Sequence, residues 1–227
     1  MATMSQNDDF RSDDAAFPYG PGDTGRTAFG LDGDVAKIDV RVAAWQDCDE
    51  ANASVSVAMA VGNLPIGVTS TLASVQNDLF DVVADLSAPF DTSGHGSEHD
   101  VGDKPDDAAA RIAESHITRL ERAIEHYAQE APDLSGLVLP GGTVAAALLY
   151  QARAVVRRAE RTVWAAVDAH PESVNPLCAR YLNRLSRLLF VLARGANAEH
   201  GDERWVPEAS ARAMAEEEDD AGYGAPT

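Results

Sequence analysis

From Thr143 to Ala169 the chain contains neither glycine nor proline, and its apolar residues recur at the three- and four-residue spacing of a helix buried along one side. A helix of that length measures about 40 Å, so a compact fold that holds it must supply partners of similar length. The rest of the sequence does so. Residues 36–62 read as a first helix starting near Asp39, and 69–87 as a second with Thr69 or Ser70 as N-cap. A third covers 106–130, the fourth 143–169 and the fifth 174–197. Pro132, Gly141, Gly142 and Pro171 punctuate the boundaries. Strand patterning is scarce, so the expected class is all-α: a five-helix bundle in one domain over residues 18–200. An irregular glycine-rich segment, PYGPGDTGRTAFGLDGD (18–34), precedes it. The acidic ends, 1–17 and 201–227, lack a core-forming pattern and are expected to be mostly disordered.

Charge narrows the partners. The chain carries 37 acidic and 18 basic residues, a formal net charge of −19. Lys37 and Lys104 are its only lysines, the other bases being arginine. Such a surface repels nucleic acid phosphate and anionic membranes, so neither is an expected partner. An acid excess with almost no lysine is also the composition of proteins that stay soluble in concentrated salt, which suggests a halophilic source. No run of about 18 apolar residues offers a membrane span, and the N-terminus MATMSQNDDFRSDDAAF has no apolar stretch of the secretory kind. Cys48 and Cys178 each fall inside a helical stretch, which points to reduced core thiols and a cytoplasmic location.

Against that background the fourth helix is unusual, because Arg153, Arg157, Arg158 and Arg161 crowd into ARAVVRRAER (152–161). On a helical wheel Arg153, Arg157, Glu160 and Arg161 share one arc, with Leu148, Ala152, Val155, Ala159 and Val163 opposite as the expected buried stripe and Arg158 between. A solvated charged face is the plain reading of such a pattern. Yet guanidinium groups stacked at i, i+4 and i+8 repel one another, and Glu160 alone cannot neutralise them. Guanidinium forks match phosphate oxygens, so a polyphosphate is the natural missing anion. On the fifth helix Asn183, Arg187, Phe190 and Arg194 share a face, while Leu185, Leu189 and Leu192 point to the core. An aromatic between polar groups could line a pocket for a large, partly apolar ligand.

Other signals are weaker. GPGDTGRT (20–27) could bring backbone N–H groups to phosphates, although it is not a Walker A loop. Asp49 shares a face with Val42, Trp45 and Ala53, and a carboxylate in that setting calls for a guanidinium from another helix or subunit. His95, Glu98 and His99 lie close together in a polar loop but lack the H-E-x-x-H spacing that a helix turns into a zinc site.

Taken in order, GDTGRT (22–27), KIDVR (37–41), DEAN (49–52), LFDVVADLSAP (79–89), LPGGT (139–143), ARAVVRRAER (152–161) and YLNRLS (181–186) resemble the PduO-type ATP:cob(I)alamin adenosyltransferases over roughly residues 18–197. The resemblance implies a homotrimer of five-helix subunits with ATP at each subunit interface. It implies transfer of the 5′-deoxyadenosyl group of ATP to the cobalt of reduced cobalamin, with release of triphosphate. It assigns Tyr19, Gly20, Pro21, Gly22, Asp23, Thr27, Lys37, Arg157, Arg158, Glu160, Arg161 and Asn183 to ATP, with Arg157, Glu160 and Arg161 the catalytic set. Mg²⁺ would be carried on the ATP phosphates, with no protein motif holding it directly. Asp49 and Arg153 would pair across the interface near the corrinoid, and Leu137 and Phe190 would face the lower side of the corrin ring. The implied partners are an electron-donating reductase and an adenosylcobalamin-dependent enzyme. A non-catalytic relative that stores or delivers cobalamin is the alternative.

The sequence departs from the family pattern at four places. The loop reads YGPGDTG where Y-T-R-T-G-D-D-G is usual, Leu137 stands for a Phe and Tyr150 for a His. Arg187 replaces the acid of N-R-L-S-D, which reverses a charge beside Asn183.

Overall fold

The computed structural model describes residues 22–30, 33–88, 110–129, 131, 136–210 and 212. Its helices are α1 (Val40–Val61), α2 (Ile66–Leu86), α3 (Glu114–Ala128), α4 (Val144–Ala169) and α5 (Pro176–Ala196). The expected all-α bundle of five helices is what forms. Two short strands, β1 (Arg26–Ala28) and β2 (Asp34–Ala36), pair antiparallel with Thr27 opposite Val35. The segment read as irregular thus contains a hairpin. The expected starts of α1, α4 and α5 hold to within a few residues, because Asp39, Thr143 and Asn175 each accept a bond from the first turn through the side chain. The expected start of α2 does not: it begins at Ile66 after Pro65, and the Thr69 hydroxyl bonds back to the Pro65 carbonyl inside the helix. Pro65 stands at the N-cap without a side-chain capping bond, its ring fixing an extended entry into the helix (φ −55°, ψ 149°).

Helix α4 is the central element, packed between α1 and α5. Its fully buried line is Leu149, Ala152, Val156, Ala159, Val163 and Ala166. Leu148 and Val155, expected in that stripe, are only half-buried. The stripe is turned by about one residue because two helices, not one, cover α4. On α1 the buried line contains Ala44, Ala51 and Ala58 at seven-residue intervals, matched on α4 by Ala152, Ala159 and Ala166. Small side chains at such a seam let the two backbones approach closely. The helices run antiparallel: Asp39 lies near His170, Asp47 bonds to Thr162, and Gly62 abuts Ala145.

The turn before α4 is fastened to the end of α5. Asn197 is buried, donates to the Gly141 carbonyl at 2.9 Å and accepts from the Thr143 N–H at 3.0 Å. Gly142 has φ +95°, and a Cβ there would stand 2.3 Å from the Asn197 amide, so the L-P-G-G turn needs glycine twice over. Beyond Asn197 the backbone stays paired. Leu139 N–H donates to the Glu203 carbonyl at 2.8 Å and Trp205 N–H to the Leu137 carbonyl at 2.9 Å. Residues 203 and 205, expected to belong to a disordered tail, are therefore paired to the body of the chain through their backbone groups. Residues 1–17 and 213–227 lie outside the described residues.

At the other end of the bundle Asp85 ties three elements together. It is fully buried and accepts from Arg111 Nη1 at 2.7 Å, Ile112 N–H at 2.8 Å and Asn175 Nδ2 at 2.8 Å. Cys48 and Cys178 are buried, and burial pushes both thiols up, so neither is a nucleophile at neutral pH. Replacing Asp85 by Ala removes the acceptor of the Ile112 N–H and of one Asn175 N–H, together with the carboxylate that faces Arg111. We expect a loss of about 3 kcal/mol in chemical denaturation, while Asp85→Asn, which keeps part of the network, should lose less.

Candidate functional site

The arginine cluster resolves into two groups. Arg158 turns toward α1, where its Nε is 3.3 Å from Asp47 Oδ1 and its Nη2 bonds to Glu50. Thr162 Oγ1 donates to the other Asp47 oxygen at 2.5 Å. Arg158 is thus neutralised inside the subunit, which makes it a helix-to-helix contact rather than a free phosphate ligand. Arg153, Arg157 and Arg161 stay on the outer face, as the wheel predicts. Among the described residues none of the three has a carboxylate partner; Arg161 Nη1 donates only to the Arg157 carbonyl, at 3.1 Å. Burial and then the Arg157 charge push the Arg153 guanidinium down, a mark of positive charge without its counter-ion.

Glu160 on the same face is oriented from α5. Asn183 Nδ2 donates to Glu160 Oε1 at 2.9 Å, Arg184 Nη1 donates to Asn183 Oδ1 at 2.7 Å, and Arg184 Nε bonds to Glu121 at 2.8 Å. Three helices therefore hold one carboxylate beside three unneutralised guanidinium groups. Arg187 is exposed one turn beyond Asn183, with no described partner, so its charge adds to the patch.

One turn further along, Phe190 sits half-buried with the Arg153 guanidinium 5.3 Å from its ring centroid and Arg194 at 5.9 Å. Tyr150 packs edge-on to the same ring at 6.1 Å. Phe190 and Arg153, both assigned to the corrinoid by the resemblance, are thus in contact within one chain. Arg194, expected on the open face, is instead covered by the chain beyond α5 and paired with Asp202. Leu137 is exposed, 67%, at the mouth of the L-P-G-G turn.

The glycine-rich segment is organised by its hairpin. Gly22 has φ +85°, and a Cβ on it would meet Lys37 Nζ at 2.8 Å, so Lys37 lies over the GDTGRT turn. Lys37 N–H donates to the Gly25 carbonyl at 2.8 Å, and Asp23 is exposed beside it while Thr27 is half-buried. The two ends of the hairpin thus make one glycine-bounded turn on which Lys37 lies. Tyr19, Gly20 and Pro21 lie outside the described residues, as do His95, Glu98 and His99. Because Asp39 lies beside His170, the hairpin stands at the C-terminal end of α4, roughly 13 Å along the axis from Arg161. Within one chain the two groups are adjacent but do not meet.

Asp49 and Arg153 do not meet either. Asp49 and Ala53 are exposed, Trp45 is half-buried, and only Val42 of that face is buried, so the face does not belong to the core of the single chain. Several motif residues have structural duties that sequence reasoning missed. Asp39 caps α1 and grips Arg41, whose bond holds the Asp39 carboxyl below its usual range. Asn52 exchanges bonds with Gln76, its Nδ2 donating to the Gln76 carbonyl at 3.1 Å. Asp85 was findable: an acid on the same helical line as Leu79, Val82 and Leu86 must be paired.

Comparison with known proteins identifies the family. The family model for cobalamin adenosyltransferase matches residues 19–196. A corrinoid adenosyltransferase of Mycobacterium tuberculosis is 49% identical over 186 residues, covering 82% of this chain and 90% of its own. A Bacillus subtilis corrinoid adenosyltransferase is 33% identical over 183 residues, covering 79% of this chain and 86% of its own. Among solved structures, a single-residue variant of the PduO-type ATP:corrinoid adenosyltransferase from Lactobacillus reuteri, complexed with cobalamin and ATP, superposes with a TM-score of 0.67 at 29% identity. It covers 85% of this chain, which covers 97% of it. With the family model matched over residues 19–196 and relatives and a solved structure alike over most of their lengths, the chain belongs to the cobalamin adenosyltransferase family, among the PduO-type ATP:corrinoid adenosyltransferase enzymes.

Proposed function

We propose that this enzyme transfers the 5′-deoxyadenosyl group of ATP to the cobalt of cob(I)alamin and releases triphosphate, in a homotrimer whose sites lie between subunits. One observation carries the reading: Arg153, Arg157 and Arg161 form a guanidinium row without a described acid, while Arg158 beside them is neutralised in-chain. Electrostatic repulsion along that row calls for an anion, and among the described residues no carboxylate pairs with it. The triphosphate of ATP has the required charge and the planar oxygen sets.

In this scheme the reduced cobalt supplies the electron pair that bonds to C5′. The C5′–O bond breaks, and its electrons leave on the triphosphate. The protein needs no nucleophile of its own, in keeping with two buried, high-pKa thiols. Its task is to hold positive charge where the leaving oxygens gain negative charge. Arg157 and Arg161 do so from a rigid helix, so little reorganisation is needed during reaction. Glu160, fixed by Asn183, keeps the guanidinium row spaced and accepts from a substrate hydroxyl or amine. The outer face of α4 offers guanidinium groups rather than carboxylates, so Mg²⁺ fits there as a companion of the phosphates, neutralising part of the leaving charge, and not as a protein-ligated ion. Gly22, Asp23, Thr27 and Lys37 of the hairpin, with Tyr19 to Pro21, close over the phosphates of the site on a neighbouring subunit. Asp49 of one subunit pairs with Arg153 of the next. Phe190 and Leu137 supply the apolar lower face, which excludes water and the axial ligand of Co(II) and so makes the metal easier to reduce. The acid-rich surface suits a salt-rich cytoplasm, with a reductase and an adenosylcobalamin-dependent enzyme as the partners on either side of the reaction.

Three results would test the reading. Arg157→Ala should lower kcat/KM about 100-fold, followed by the absorbance change as the Co–C bond forms from reduced cobalamin, ATP and Mg²⁺; near-normal turnover would remove Arg157 from the site. Arg158→Ala should affect turnover far less and lower stability by at most about 1 kcal/mol, since its partly exposed pairs are screened by solvent. Co-expression of Asp49→Ala with Arg153→Ala subunits should yield mixed trimers more active than either variant alone. No recovery would place the two residues in one subunit's site.

A further inference from the structure

Residues 198–206 follow α5 and lie beyond the stretch matched by the family model. They fold back on the domain. His200 and Gly201 N–H groups both donate to the Asn197 carbonyl, at 3.0 and 2.7 Å, and Gly201 takes φ +78° to reverse the chain. Val138 and Arg204 then form an antiparallel bridge, with the backbone bonds at Leu139 and Trp205 on either side. The segment is thereby a strap across the L-P-G-G turn, and it delivers Asp202 to the inner side of α5.

Arg194 Nε and Asp202 Oδ2 are 2.8 Å apart, with both side chains 7% exposed. A buried ion pair contributes little net stability, because desolvation offsets the attraction; what it supplies is geometry. The atoms around it point the same way. Tyr150 Oη and Asp202 Oδ1 are buried and have no hydrogen-bond partner among the described residues, so this cluster is not arranged for maximal stability. Burial and then the Asp202 charge push the Tyr150 hydroxyl up, which sets the carboxylate close to that ring. Tyr150, Arg194 and Arg153 are the described ring and cation contacts of Phe190. Two of these three are in the Asp202 cluster.

We propose that residues 198–206 are a strap whose Asp202, acting through Arg194, positions Phe190 against the lower face of the corrinoid. The proposal rests on the reading of Phe190 as the residue that covers that face. A phenyl ring has no polar atom to anchor it, so its orientation is set by its neighbours. With Arg194 clamped, the ring stands where it excludes the lower axial ligand; with Arg194 released, the ring can swing and the ligand returns. Asp202 itself touches no substrate and is a positioning residue.

The test uses the full chain loaded with ATP, Mg²⁺ and cob(II)alamin. Electron paramagnetic resonance reads the fraction of cobalt without an axial nitrogen, from the loss of nitrogen hyperfine splitting. Asp202→Ala and Asp202→Asn should shift that equilibrium about tenfold toward the ligated form, with the KM for ATP unchanged. Asp202→Glu should recover most of the native fraction. Asp202→Asn keeps the side-chain size, so it decides the matter if Asp202→Ala fails to fold. A native fraction in Asp202→Asn, alongside its loss in Phe190→Ala, would overturn the strap's role and leave the Phe190 reading intact. A native fraction in Phe190→Ala would overturn both.

Discussion

The alanine seam between α1 and α4 sets the position of nearly everything else. With Ala44, Ala51 and Ala58 facing Ala152, Ala159 and Ala166, the two helices lock antiparallel at a defined register and rotation. That rotation decides the fate of each arginine on α4. Arg158 falls at the edge of the seam, within reach of Asp47 and Glu50, whereas Arg153, Arg157 and Arg161 are turned outward. Turning α4 by one residue would exchange these roles. Close packing of small side chains is unforgiving of such a slip, because any larger group at the seam would separate the backbones. A functional surface has thus been specified from the buried side of the helix.

Buried polar residues fasten both ends of the bundle, while on the outer face of α4 Arg153, Arg157 and Arg161 have no described carboxylate partner. Asp85 gathers Arg111, Ile112 and Asn175 at one end, and Asn197 fastens the L-P-G-G turn at the other. Many motif residues that suggest chemistry, such as Asp39, Asn52 and Asp85, are structural hydrogen-bonding centres. What they secure is a rigid face carrying three guanidinium groups and one oriented carboxylate, the face we propose for the phosphates. Rigidity has value there because a charge-stabilising site works best when nothing has to move as the charge develops.

Much of this was readable in advance where a single helix determines the outcome. Five helices, the outward Arg153, Arg157 and Arg161, and the core positions Leu185, Leu189 and Leu192 follow from periodicity alone. The start of α2 is not legible because Thr69 and Ser70 look like caps, while the residue at the N-cap, Pro65, has no capping side chain. The stripe on α4 was displaced because the wheel assumes one covering partner and the helix has two. Arg194 was misplaced for a different reason: its partner Asp202 comes from a segment that composition marks as tail. Hydrogen bonds made by backbone groups, such as those at Leu139 and Trp205, leave no trace in side-chain pattern.

The sequence by itself determined the five-helix class, the acidic charge and the ordered motifs of an adenosyltransferase. These depend on local propensity and on the identity of individual residues, which a linear reading captures. The tertiary structure alone decided which arginine is neutralised, that Lys37 lies over Gly22, that Asp49 and Arg153 do not meet within one chain, and that residues beyond α5 reach back to the Phe190 cluster. Each of these turns on a distance between groups remote in sequence. Such distances are set by how helices rotate and pack against one another, a property of the assembled core and not of any single segment.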